Sequence, residues 1–211
     1  RVQSVKEDYQ QSQAAMFDMM DDVKNKKARI GSLEAILKNH SHFYAGVKSV
    51  LQEADRLGGI IGAVSEKLNF DPHYQTALEI ALGGSSQHII VEDEQSATQA
   101  IEFLKRNRTG RATFLPLTTI KARHLPDHHQ GSIEKSNGFL GLASSLVHYD
   151  KSLENIFQNL LGTTAIFDTV ENARVAAHKV RYQVRIVTLD GTELRTGGSY
   201  AGGTHRNNST I

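Results

Sequence analysis

Counted in alternating steps of three and four from Val2, the chain meets Val5, Tyr9, Ser12, Met16, Met19, Val23, Lys26, Ile30, Leu33 and Leu37. Only Ser12 and Lys26 break the apolar seam. A mean spacing of about 3.5 residues held this long predicts a supercoiled helix, because an ordinary surface helix drifts toward 3.6. Lys6, Glu7, Asp8, Asp21, Asp22, Lys24, Lys27 and Arg29 occupy the intervening wet faces, and neither Pro nor Gly interrupts the run before Gly31. So narrow a stripe buries little when alone, which calls for a partner strand. The remaining sequence has no comparable heptad run, but the Asn and Ser residues of 207–211 suit the capping of a returning helix. We expect a descending coiled-coil arm over 1–44 and the start of its returning strand over 205–211.

From about Gly46 short apolar runs alternate with amphipathic stretches. Asp71-Pro72 opens a helix that runs through Tyr74, Ala77, Leu78 and Leu82 to a stop at Gly83-Gly84. A strand is expected at 88–91, a helix at 95–106 and a strand at 112–115. The order recurs as a helix at 153–161, a strand at 165–167, a helix near 171–181 and a strand at 184–189. Ile90, Val91, Ala97 and Ala100 map onto Ile166, Phe167, Ala173 and Ala176 at one displacement, which marks an internal duplication. The fold class is therefore mixed α/β: two related helix-strand-helix-strand subdomains, 45–117 and 151–204, preceded by a long coiled-coil helix. The connecting segment 118–150, with the polar stretch from Leu125 to Gly131, has no clear period and reads as a surface excursion. A final hairpin is signalled by Asp190-Gly191, a pair suited to a type I′ turn.

Composition narrows the function. At 211 residues and 39% hydrophobic content the chain is long enough to bury a core. With 24 basic and 23 acidic residues, no net field draws polyanions to the whole surface, and any contact with DNA depends on a local patch. The sequence has no cysteine, so disulfides, thiol nucleophiles and thiolate metal sites are excluded; a reducing cytoplasm fits. There is no apolar run of roughly 18 residues to span a membrane and no signal-peptide core. The start at Arg1 reads as the interior of a longer chain.

Candidate chemistry is sparse. Gly197-Gly198-Ser199-Tyr200-Ala201-Gly202-Gly203 puts four glycines in seven positions, low bulk that lets another backbone approach or pair edge to edge. A flexible linker is the plain alternative. A phosphate cradle fails because no Gly-Lys-Ser/Thr follows. Gly58-Gly59-Ile60-Ile61-Gly62 lacks the spacing of a dinucleotide fingerprint. His124, His128 and His129, like His40 and His42, read as solvated loop residues rather than metal ligands. Glu92, Asp93 and Glu94 suit a helix start, where acids oppose the macrodipole. No nucleophile motif is present, and we expect neither catalysis nor a cofactor or metal in this stretch. The densest basic stretch holds Lys105, Arg106, Arg108 and Arg111, at a helix C-terminus where cations also offset the dipole. Lys121 with Arg123, and Arg206, are weaker candidates for phosphate contact.

The ordered set of GVKSVL at 46–51, GAV at 62–64, ALEIALGG at 77–84, QHIIV at 87–91, GRATFLPL at 110–117, NLLG at 159–162, IVTL at 186–189 with Gly191, and GGSYAGG at 197–203 resembles the hinge of the SMC (structural maintenance of chromosomes) ATPases, bacterial chromosome-condensation type. The resemblance implies a hinge at the far end of an antiparallel coiled coil from the nucleotide-binding heads. It also implies a two-fold homodimer that joins two arms into a V or ring for chromosome condensation and segregation at the nucleoid. Gly197, Gly198, Gly202 and Gly203 match the family's interface motif, and with Ser199 and Tyr200 between them they are the expected dimer interface. Family hinges also bind DNA weakly near the arm junction through a lysine-rich run; here that run is Thr204-His205-Arg206-Asn207, poorer in charge, leaving Lys48, Lys105, Arg106, Arg108 and Arg111 as fallback candidates. The alternative is a nucleic-acid-binding module whose dimerisation is incidental. A zinc-hook tether would need a Cys-x-x-Cys pair, which is absent from the sequence.

Overall fold

Side chains alternate across a strand, so one three-residue segment can serve two cores. In β3 (Ile89–Val91) of the computed structural model, Ile89 and Val91 join Val47, Val50, Ala63 and Leu104, whereas Ile90 joins Leu78, Leu82, Phe157 and Ile166 on the opposite face. In β7 (Thr164–Phe167), Ala165 and Phe167 pack with Ile133, Ala176 and Ile186, while Ile166 turns to that same central cluster. Two outer cores thus flank a shared inner one. Full burial of a Leu, Ile or Phe in it contributes about 1.5–3 kcal/mol.

The structure describes residues 10–13 and 43–204. Residues 10–13 are helical, within the span read as an arm; the rest of that arm and the stretch 205–211, Arg206 included, lie outside the described residues. Two units are distinguished, Arg1–His42 and Phe43–Ile211. In the second, α1 (Ala45–Gln52) and α2 (Ala54–Leu57) precede β1 (Ile60–Ala63) and β2 (Leu68–Phe70); α3 (Gln75–Leu82), β3, α4 (Glu94–Asn107) and β4 (Phe114–Pro116) follow. The chain continues through α5 (Asp127–Glu134), β5 (Phe139–Leu142), β6 (Val147–Tyr149) and α6 (Glu154–Leu161). After β7 come α7 (Val170–Lys179), β8 (Arg185–Thr188), β9 (Glu193–Leu194) and β10 (Tyr200–Ala201). One sheet has the order β1-β3-β4, a second β10-β9-β8-β7-β5, and β2 pairs with β6 as a ribbon.

The duplication is longer than the sequence pattern discloses. β1, β2 and α3 recur as β5, β6 and α6, each 79 positions on (60 to 139, 68 to 147, 75 to 154). β3 and the start of α4 recur 76 positions on, at 165 and 170. Each repeat has an antiparallel strand pair interrupted by a register shift, β1 with β3 and β5 with β7. Each then forms a parallel pair through a helical crossover, β3 with β4 and β7 with β8. The caps repeat too. Asp71 and Asp150 accept from the amides of His73 and Ser152, both at 2.9 Å, and Asp93 and Thr169 from those of Ser96 and Asn172.

Two expectations are corrected. The segment 118–150 is not an irregular excursion: it holds α5, whose Ile133 is fully buried, and strands β5 and β6, which pair with β7 and β2. Strands of three or four residues, one bulged between Phe139 and Gly141, are too short to display a period of two. The hairpin between β8 and β9 exists, with Ile186 opposite Leu194, but its turn is not type I′. The Gly191 amide donates to Thr188 and only Gly191 has positive φ, at 89°. That is a type I turn followed by a left-handed glycine, the pattern of a slightly longer loop.

Candidate functional site

β10 is a terminal strand of the five-stranded sheet: Tyr200 pairs with Leu194 and Ala201 with Glu193 on one side, and no strand among the described residues occupies the other. An open edge offers unpaired amides and carbonyls to another chain. The expected interface residues cluster here. The Arg195 amide donates to the Ser199 carbonyl (2.8 Å), the Gly198 amide to Arg195 (3.1 Å) and the Gly197 amide to the Tyr182 carbonyl (3.0 Å). The first two close the β9–β10 hairpin, and the third ties it to the turn after α7. Tyr200 is 46% exposed, a large aromatic surface left on an edge strand.

The four glycines differ in what their own chain asks of them. Gly197, Gly198 and Gly203 have φ of 93°, 104° and 132°, and a Cβ on any of them meets nothing within 4 Å. Backbone conformation alone explains them. Gly202 has no positive φ, and a Cβ there makes only an ordinary contact with the Thr192 side chain at 3.4 Å. Neither strain nor crowding within the chain demands glycine at 202.

An open groove of about 640 Å³ runs beside this edge, lined among others by Glu79, Arg185, Glu193, Arg195 and Gly202. Arg185, on β8, donates to the carbonyls of Ile80 (3.0 Å) and Ala81 (2.7 Å) near the C-terminus of α3, and to Glu193 (2.6 Å). A guanidinium suits this place because its fork satisfies several acceptors at a helix end of negative polarity. Burial pushes the Glu193 carboxyl up, but hydrogen bonds from Arg195 and Arg185 outweigh it and hold it below the usual carboxylate range. The sequence reading missed this triad. Its only trace is the charged-apolar-charged order Glu193-Leu194-Arg195, with the groups that Arg185 caps about a hundred residues away.

The basic candidates sit elsewhere and only partly together. Lys105 and Arg106 occupy the last turn of α4, and Arg108 is its left-handed C-cap, as expected of cations at that helix end. Arg106 lines a groove of about 730 Å³ with Arg56 and Glu53. Lys105 and Arg111 line a different one, of about 360 Å³. Lys48, on α1, lines none of these. Gly46 explains how α1 reaches the basic stretch, since a Cβ there would lie 2.3 Å from the Arg111 carbonyl. The His128 and His129 rings lie side by side, tilted by 46°, with centroids 4.0 Å apart. Among the described residues no three His, Asp or Glu side chains are gathered as metal ligands, and no helix is long and apolar enough to cross a membrane. Glu92, Asp93 and Glu94 lie at the start of α4, where Asp93 is the cap.

Residues 57–177 match the family described as the SMC proteins flexible hinge domain, a match that stops short of the glycine cluster. The chain is 41% identical over 208 residues to the chromosome partition protein Smc of Bacillus subtilis, covering 98% of this chain and 18% of that protein. It is 39% identical over 196 residues to the corresponding protein of Lactiplantibacillus plantarum, covering 93% and 16%. The chain thus spans under a fifth of these relatives. Its fold is similar to that of the Geobacillus stearothermophilus SMC hinge domain, solved as an asymmetric dimer, with TM-score 0.80, 39% identity, and coverage of 98% of this chain and 84% of that one. The Pyrococcus furiosus SMC hinge gives TM-score 0.64 at 31% identity, covering 84% and 89%. Motif order, duplicated architecture and these likenesses agree: the chain belongs to the SMC hinge domain family.

Proposed function

We propose that this chain is a self-associating hinge, in which a second copy adds its backbone to the open β10 edge around Gly197, Gly198, Ser199, Tyr200, Gly202 and Gly203. The observation that carries the reading is Gly202, a glycine directly after the open strand β10 that its own chain does not require. The dimeric state of the Geobacillus hinge supports the same reading. In the longer protein the hinge joins two coiled-coil arms, here 1–44 and the strand beginning at 205–211, flanking the repeats at 45–117 and 151–204 and the connection 118–150. The nucleotide-binding heads belong to other parts of that chain, and this stretch performs no catalysis. Two hinges and their arms form a V or ring that partitions chromosomes at the nucleoid in the cytoplasm. Weak DNA contact through Lys48, Lys105, Arg106, Arg108, Arg111 and Arg206 is a subsidiary part of the proposal; the position of Lys105, Arg106 and Arg108 is already accounted for by the helix end.

Sedimentation equilibrium at micromolar concentration tests the main reading. The wild-type chain is expected to be a dimer, and Gly202→Leu to be a folded monomer whose thermal midpoint falls only by what the loss of association removes. A monomeric wild type, or a Gly202→Leu variant that dimerises equally well, contradicts it.

A further inference from the structure

Directly after α7, Arg181 and Tyr182 both have positive φ, at 51° and 55°. Two successive residues with side chains in the left-handed region are uncommon, and a bulky aromatic there is an outlier. The arrangement is held by the Tyr182 amide donating to the Ala177 carbonyl (2.9 Å) and the Arg181 amide to His178 (3.1 Å). Its effect is to lay the Tyr182 ring against His178, with centroids 5.5 Å apart, and to aim its hydroxyl outward. That hydroxyl meets the Tyr200 hydroxyl at 2.7 Å, and the Tyr182 carbonyl accepts from Gly197. Both ends of the bare loop 197–199 are therefore anchored on one strained residue. The turn is closed on its own side only by the backbone bonds of Gly198 and Arg195, because at Gly197 and Gly198 there is no side chain to pack.

We infer that Tyr182 is a positioning residue for self-association: it holds the 197–199 loop and the exposed Tyr200 ring in the arrangement that a second copy meets. This rests on the reading of β10 as the docking edge. Preorganisation of this kind raises affinity by lowering the ordering cost at association, without adding a contact across the interface.

The experiment is a double-mutant cycle in dimer dissociation constant on the 211-residue chain, using Tyr182→Phe, Tyr200→Phe and the pair, with thermal midpoints and amide exchange of 197–199 in parallel. Phe keeps the ring and removes only the hydroxyl. Each single change is expected to weaken the dimer about three- to tenfold, the usual range for one lost hydrogen bond. The pair should weaken it no further than the larger single change, and exchange at 197–199 should quicken in monomeric Tyr182→Phe. A merely structural role would lower the midpoint and leave the dissociation constant alone, which overturns the inference, as does an additive pair. If Gly202→Leu abolishes a wild-type dimer that Tyr182→Phe leaves intact, this inference alone fails. If the wild type is monomeric or ignores Gly202→Leu, the docking edge fails and this inference with it.

Discussion

His88 has a buried Nδ1 with no hydrogen-bond partner among the described residues, in a small hollow that it shares with Gln87, Arg111 and the Tyr44 ring at the root of α1. Burial lowers its pKa from the ordinary imidazole value, so the folded state prefers the neutral ring. Protonation then costs folding free energy: the contribution is complete above about pH 6.5 and is lost as pH falls toward the depressed folded value. A second window opens lower. Hydrogen bonds from Ser96, Ser152, Asn172 and Thr188 hold Asp93, Asp150, Asp168 and Asp190 below the usual carboxylate range, and their contribution fades below about pH 4. Denaturant unfolding followed between pH 7 and pH 5 is expected to show stability falling in the wild type and a flatter profile in His88→Leu; identical slopes would contradict this. The acidic helix start was legible because Asp93 precedes a periodic stretch. The burial of His88 was not, since the hollow is closed by residues more than forty positions upstream and twenty downstream.

At the scale of elements, Arg185 ties the repeats together. It lies on β8 in the second repeat, yet its guanidinium caps α3 in the first, through the Ile80 and Ala81 carbonyls. Arg185→Met removes charged hydrogen bonds worth about 1.5–3 kcal/mol and leaves the mostly buried Glu193 with Arg195 alone. The expected result is a thermal midpoint several degrees lower; an unchanged midpoint would show that the helix end is satisfied without it. Helices α3, α4, α6 and α7 and the four crossover strands could be read from periodicity and capping residues, whereas α1 and α2 were not anticipated. The β2–β6 ribbon and α5 could not, because Leu68-Asn69-Phe70 and Val147-His148-Tyr149 acquire meaning only from each other, 79 positions apart. The Asp-Gly pair correctly marked a hairpin but not its turn type, which depends on the four-residue length of the connection.

For the whole molecule, the duplication seen in Ile90 and Ile166 proves to be the organising fact, since those two side chains meet in the core that both repeats share. What distinguishes the second repeat is its extension by β9 and β10, which moves the sheet edge out to the glycines. The glycine cluster was conspicuous in the sequence, but sorting its members was not possible there. Only backbone angles separate Gly197, Gly198 and Gly203, which their own turns require, from Gly202, which neither φ nor crowding within the chain requires. The central claim, that the β10 edge is covered by a second copy, is tested most directly by amide hydrogen exchange of 197–203 above and below the dimer dissociation constant. The account predicts that protection of these amides rises with dimer population while the β2–β6 ribbon stays constant. A dimer that forms with 197–203 exchanging as fast as in the monomer would contradict it.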